Sequence, residues 1–199
     1  MAHARVKARA PRGESVFGER FAVFAECLLT GVWIAVACLG VVTYPAAFAA
    51  GARHLRRRTA HDGGGLREFA EDFRAAVRRG WVVGLGGWAV AVAVWVDVLA
   101  ARAGIPGGPV VGAVGVFALI GVAVALLRAA AVWTPGAAWR ALLAAAGRRT
   151  ALDPAGSFLI VCGLAVVALS AWFVTPLAVP VLGAVAAAAV AVEERYRHR

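Results

Sequence analysis

The stretch from Thr43 to Arg79 reads TYPAAFAAGARHLRRRTAHDGGGLREFAEDFRAAVRR and separates two strongly apolar parts of the chain. It contains an arginine cluster from Arg53 to Arg58, then a glycine-rich turn, and then a polar segment with a regular apolar stripe. Basic segments between apolar runs are typical of the cytoplasmic loops of membrane proteins. We therefore expect this stretch to fix the orientation of every later helix.

The composition is that of a membrane protein. Of the 199 residues, 62% are hydrophobic and 16% are charged, and the mean hydropathy is +0.78. Soluble domains are about half apolar and about one quarter charged. The net charge of +10 does not indicate nucleic-acid binding, because the basic residues cluster between apolar runs and leave no soluble basic domain. The predicted fold class is all-α, a polytopic bundle of transmembrane helices.

The apolar runs after the basic stretch predict the later spans. Trp81–Ala101 and Pro109–Val132 are each long enough to cross about 30 Å of hydrocarbon. The run Ser157–Val192 would rise about 54 Å as a single helix. Since Pro176 and Pro180 lie near its middle, we expect a hairpin of two short spans there.

The first apolar run, Phe21–Ala52, is too long for one pass and short for two. A break at Tyr44–Pro45 would let a second segment, short or re-entrant, return to the side of the chain's beginning. The prediction is thus five clear spans and a sixth short one. They form a single domain, residues 21–192 with a cytoplasmic loop at 53–80, between basic tails at 1–20 and 193–199.

The distribution of arginines predicts the topology. If the loop 53–80 is cytoplasmic, the turn at Arg102 is outside, while residues 140–149 and the C-terminal tail are inside. An even number of crossings also places the basic N-terminal tail inside. This arrangement satisfies the positive-inside rule for all basic clusters.

Three ionisable residues lie within apolar runs and are candidates for a path through the membrane: Glu26, Asp97 and Arg128. The alternative interpretation is that each side chain reaches its nearer membrane surface. Asp97 and Arg128 fall near opposite ends of neighbouring spans, so we do not expect them to pair.

The sequence offers no catalytic motif. Lys7 is the only lysine, so the body of the chain has none for a phosphate-binding loop or a Schiff base. His54 and His61 are two helical turns apart, too far to bind one metal ion, and are interpreted as interfacial residues. We predict no enzymatic activity, metal or cofactor. Three cysteines inside apolar runs are interpreted as small apolar residues: Cys27, Cys38 and Cys162.

The segment Leu66–Arg79 has an apolar stripe at helical spacing. One interpretation is an amphipathic helix in the headgroup plane that leads into the next span, and the other is a docking surface for a partner. The candidate docking residues are Leu66, Phe69, Phe73, Arg74 and Val77. Small residues at helical spacing also predict close helix contacts, at Gly80–Gly84, Gly112–Gly115 and Gly183–Ala187–Ala191.

The order of these parts resembles the YesL-like bacterial membrane proteins, a family of unknown biochemical function. The resemblance is carried by Gly18, Phe21, Trp33, by Val42–Ala47 with Thr43, Pro45 and Ala46, and by Phe69-x-x-x-Phe73-Arg74. It implies a bacterial cytoplasmic membrane protein. Because members are often encoded beside carbohydrate-uptake ABC transporters, it also implies an accessory role with an ABC permease as a partner.

Two functional hypotheses remain open at this point. In the first, the chain is a non-enzymatic accessory factor that contacts a transporter through the segment 66–79. In the second, it is a small transporter or channel with Asp97, Glu26 or Arg128 on the path.

Overall fold

The computed structural model describes residues 16–60, 64–173 and 175–197. These residues form helices joined by short connections, which confirms the predicted all-α class for the described part of the chain. The α-helices are α1 (Val16–Ala37), α2 (Tyr44–Thr59), α3 (Leu66–Arg102), α4 (Gly108–Ala131), α5 (Trp139–Leu152), α6 (Pro154–Phe173) and α7 (Thr175–Arg197).

The first apolar run is broken, as the sequence predicted, but the break lies before Tyr44. Helix α1 ends at Ala37, whose carbonyl oxygen accepts a hydrogen bond of 2.6 Å from the Thr43 hydroxyl. Pro45 does not end a helix. It lies in the first turn of α2, where its missing N–H leaves no helical hydrogen bond unmade.

Helix α2 is short and lies at the centre of the bundle. It rises about 24 Å and packs against α1, α3, α4 and α7. Most of its residues from Pro45 to Leu55 are buried, and many of them are alanines. Small side chains allow the neighbouring helices to approach closely. The second half of the first run is therefore the core of the bundle.

Helix α3 contains both the amphipathic segment and the next apolar run. It continues for 37 residues and rises about 55 Å. The predicted interfacial helix at 66–79 is therefore not a separate element. The helix passes through Gly80 without a break, and a Cβ atom built on this glycine would lie 3.3 Å from the Trp139 ring. Gly80 thus provides room for a neighbouring ring and does not act as a hinge.

Three helices are long and apolar enough to cross a membrane, judged by length and composition in the described residues: α3, α4 and α6. A shorter apolar stretch, Phe24–Gly40, covers most of α1 and the 3-10 turn Cys38–Gly40 that follows it. The last apolar run divides into α6 and α7, which pack against each other as the predicted hairpin requires. Helix α6 ends at Phe173 and α7 begins at Thr175, so Pro176 and Pro180 both lie within α7.

Glycines mark the closest helix contacts. A methyl group on Gly183 of α7 would overlap the Cys27 carbonyl oxygen of α1, and one on Gly84 of α3 would overlap the Val42 carbonyl oxygen. A Cβ atom on Gly112 of α4 would make only ordinary van der Waals contact with α3. The predicted close contacts are thus present at Gly183 and Gly84, while Gly112 packs against α3 at a normal distance.

Candidate functional site

The inter-helix ion pairs of the described residues lie at one end of the bundle, here called the polar end. Helices α2, α4 and α7 finish at this end, and α1, α3 and α6 start from it. The ion pairs join these termini in two groups, one around Glu26 and Asp72 and the other around Arg128. The opposite end carries Arg102, the last residue of α3, and the turn that leads to α4.

Glu26 of α1 holds the C-terminal end of α2. One carboxylate oxygen lies 3.3 Å from Nε2 of His54, and the other forms an ion pair with Arg58. His54 is 1% exposed and meets the Trp33 ring edge-on, with centroids 5.0 Å apart. His54 is therefore a buried link between α1 and α2, a contact that the sequence interpretation did not include. The predicted companion, His61, lies outside the described residues.

Asp72 of α3 binds two arginines of the Arg53–Arg58 cluster. Its Oδ2 atom lies 3.1 Å from Nε of Arg53 and 3.3 Å from Nη2 of Arg57. Arg56 donates a hydrogen bond to the Trp133 carbonyl oxygen at the end of α4. The arginines of this cluster therefore join α2 to α3 and to the end of α4.

Arg128 is the centre of the second group. Its side chain is 0% exposed, although the sequence allowed it to reach the membrane surface. Nη2 lies 2.8 Å from Asp153 Oδ2, and Nη1 lies 3.5 Å from Glu193 Oε1. Nη1 also donates a hydrogen bond of 3.2 Å to the Arg149 carbonyl oxygen. Arg128 thus joins α4 to α5, to the start of α6 and to the end of α7.

The acidic partners of Arg128 have further contacts. The hydrogen bond from Arg128 holds the pKa of Asp153 below its ordinary value, and the Gly156 N–H, 3.2 Å from Oδ1, adds to the effect. Glu193 also pairs with Arg149. A methyl group on Gly156 would overlap the Asp153 carboxylate and the Arg128 guanidinium, so the glycine makes room for the ion pair.

Asp97 lies apart from both groups. It is half-buried near the opposite end of α3, and a Cβ atom on Gly115 of α4 would lie 3.3 Å from its Oδ2 atom. No ion pair to it occurs within the described ranges. The structure therefore does not bring Glu26, Asp97 and Arg128 together. The absence of an Asp97–Arg128 pair agrees with the prediction.

The apolar stripe of α3 packs inside the molecule. Phe69 is 5% exposed, and its ring centroid lies 5.4 Å from that of Trp33 and 6.5 Å from that of Phe73. Val77 packs against the cluster that contains Trp139. The docking hypothesis is therefore wrong for Phe69, and the stripe covers α1 and α2. Leu66 and Arg74 are exposed.

Three residues that carry the family resemblance contribute to the packing of α1 and α2. Thr43 closes the end of α1, while Pro45 and Ala46 are buried in α2. No group of three or more His, Cys, Asp or Glu side chains in the described part of the chain is arranged to hold a metal ion.

The sequence did not identify Asp153 and Glu193 as functional residues. The signal that could have found them is the position of acidic residues at the ends of apolar runs on the side of Arg128.

Comparison with protein-family models, curated proteins and solved structures found no match to this chain. By their length and composition, its apolar helices are compatible with an integral membrane protein.

Proposed function

We propose that this protein is a multi-pass membrane protein with a non-enzymatic accessory role. The observation that supports the proposal is the engagement of its buried charges with one another. Glu26 binds His54 and Arg58, and Arg128 binds Asp153 and Glu193. Groups neutralised in this way hold helices together and are poorly suited to capture and release an ion or a solute.

The orientation follows from the same charges. The described arginines at the polar end come from five helices and include Arg53, Arg56, Arg57 and Arg58 of α2, Arg67 of α3, Arg128 of α4, Arg148 and Arg149 of α5, and Arg195 and Arg197 of α7. Arg102, the last residue of α3, lies at the opposite end. By the positive-inside rule the polar end faces the cytoplasm. The bacterial cytoplasmic membrane is the location that the family resemblance implies.

The partner surface we propose is the outer face of the first half of α3. Leu66 is 60% exposed on this face, and Arg74 and Arg78 are also exposed. Neither arginine has an ion pair among the described residues. The face therefore suits an acidic surface of another protein. The choice of a carbohydrate-uptake ABC permease as that protein comes from the family resemblance alone.

Replacing both exposed arginines, Arg74→Gln/Arg78→Gln, is expected to reduce co-purification of the permease at least tenfold in mild detergent. Loss of two charge-assisted contacts at an interface accounts for that change. The measurement is the amount of permease recovered with the tagged protein, and the matched control is Arg102→Gln/Arg140→Gln, two exposed arginines outside the first half of α3. Recovery equal to the control would reject this face, and no recovery with the unaltered protein would reject this partner.

The transporter hypothesis keeps one specific observation in its favour: Asp97 is half-buried and has no ion pair among the residues that the structure describes. The accessory role predicts that Asp97→Asn leaves proton flux unchanged in reconstituted vesicles loaded with a pH-sensitive dye. The reason is that no buried charge of the described region lies near Asp97 to continue a path. Empty vesicles provide the baseline. A flux above that baseline that falls in Asp97→Asn would favour transport instead.

A further inference from the structure

A cavity of ≈ 530 Å³ lies at the polar end, between the end of α4, one side of α5 and the end of α7. One part of its wall is apolar and is formed by Val132, Leu142 and Leu152. The other part carries Arg148, Tyr196 and Arg197. A wall with two such parts is suited to an amphiphile, which has a charged group joined to a hydrocarbon chain.

The charge of the cavity is positive. Arg148 and Arg197 are exposed, and neither forms an ion pair within the described residues. Arg149 also lines the cavity, and it is already bound to Glu193. The nearby carboxylate of Asp153 binds Arg128 and lies within 3.8 Å of Arg195. Two guanidinium groups therefore remain for a ligand, and the ligand they fit is an anion with several oxygens, such as a phosphate.

The apolar part of the wall distinguishes a lipid from free phosphate. Leu152 is 73% exposed, and Val132 directly follows the apolar helix α4, one of the three candidate membrane spans. An inorganic phosphate ion would leave this apolar surface in water. A phospholipid would cover it with the first part of an acyl chain while its phosphate reached the arginines.

We propose that this cavity binds an anionic phospholipid, with its phosphate at Arg148 and Arg197 and an acyl chain along Leu142 and Leu152. The position of the cavity fits this ligand, because the end of a membrane-compatible helix lies at the depth of the headgroups. The proposal does not depend on the accessory role, since it requires only that the polar end lies at a membrane surface.

Native mass spectrometry of the detergent-purified protein tests the site. With phosphatidylglycerol and phosphatidylcholine supplied equally, we expect the unaltered protein to retain one phosphatidylglycerol in preference. Arg148→Gln/Arg197→Gln should lower that retention about tenfold, equivalent to about 1.4 kcal/mol, and leave phosphatidylcholine unchanged. The matched control is Arg102→Gln/Arg140→Gln, two exposed arginines outside the cavity and outside the proposed partner surface. Equal retention by the two double variants would overturn the proposal.

A second experiment distinguishes recognition of a whole phospholipid from recognition of a phosphate group alone. Leu152→Asn changes a side chain that is 73% exposed, so folding should be preserved and can be checked by circular dichroism. We expect this variant to lose phosphatidylglycerol, and we expect inorganic phosphate at equal concentration not to displace the lipid from the unaltered protein. Displacement by phosphate, or full retention by Leu152→Asn, would show that the cavity does not recognise the acyl chain and would overturn the assignment to a lipid.

Discussion

Arg128→Ala is expected to lower the free energy of unfolding by about 3–5 kcal/mol, the range found when one partner of a buried ion pair is removed. Asp153 and Glu193 are 3% and 2% exposed, so both carboxylates would lose their buried cationic partner without gaining water. Because the guanidinium also binds the Arg149 carbonyl oxygen, the contact between α4 and α5 should loosen as well. The measurement is thermal or denaturant unfolding in a defined detergent.

Neutralising the whole group provides the decisive comparison. The triple variant Arg128→Met/Asp153→Asn/Glu193→Gln removes both buried carboxylates together with Arg128, so it should recover a large part of the stability lost in Arg128→Ala. Arg149 loses its partner Glu193 in this variant, but its side chain is 17% exposed and can reach water. Arg140→Ala, at an exposed position of α5, is the control and should change stability by less than about 0.5 kcal/mol. If Arg128→Ala were as stable as this control, the buried ion pairs would not hold the helices together.

Gly183→Ala is the second change with a large expected effect, a loss of about 2–3 kcal/mol, at the upper end of the range for overpacking. The added methyl group would overlap the Cys27 carbonyl oxygen and would crowd the Gly31 backbone nitrogen. Backbone atoms cannot rotate away as a flexible side chain can, so α1 and α7 would have to separate. Unfolding in detergent measures the stability, and a crosslink between cysteines introduced in α1 and α7 would measure the separation.

Gly121→Ala in α4 is the matched control for this substitution. A Cβ atom on Gly121 would meet nothing within 4 Å, and alanine is the better helix former by about 1 kcal/mol. The control should therefore be neutral or stabilising. If Gly183→Ala were also neutral or stabilising, that result would show that α1 and α7 do not pack closely at Gly183.

The sequence predicted the positions of the helices better than the contacts between them. Apolar length and periodicity identified the candidate spans in α3, α4 and α6, and the division of the first and last runs into two helices each. The total of five clear spans and a sixth short one stays a prediction, since three helices of the described region meet the length and composition criterion. The carbohydrate-uptake role and the family resemblance also stay predictions.

The apolar stripe on α3 shows what the local sequence pattern predicts and what it does not. The spacing of Phe69 and Phe73 correctly indicated one apolar helix face. Periodicity does not say what covers that face, and the structure covers it with the chain's own Trp33 and helix α2. The sequence interpretation also ended the cytoplasmic loop at Gly80 and began the next span at Trp81, whereas one helix contains both residues.

The partners of Arg128 were beyond the sequence for a related reason. Asp153 and Glu193 belong to different later elements, and no local spacing links either of them to α4. The position of a residue within an apolar run indicates which end of the span it is near. Whether its side chain reaches water depends on how the ends of the neighbouring helices pack around it.

The basic stretch around Arg53–Arg58 shows both what the sequence determined and what the tertiary structure decided. Its charge and its place between apolar runs determined which termini share one end of the bundle, because arginines are costly to place in hydrocarbon wherever the helices lie. What these arginines do there was decided by the tertiary structure. Only the packing of α2 between its neighbours brings Asp72 and Glu26 within reach, and it converts a row of solvated charges into the inter-helix ion pairs of the polar end.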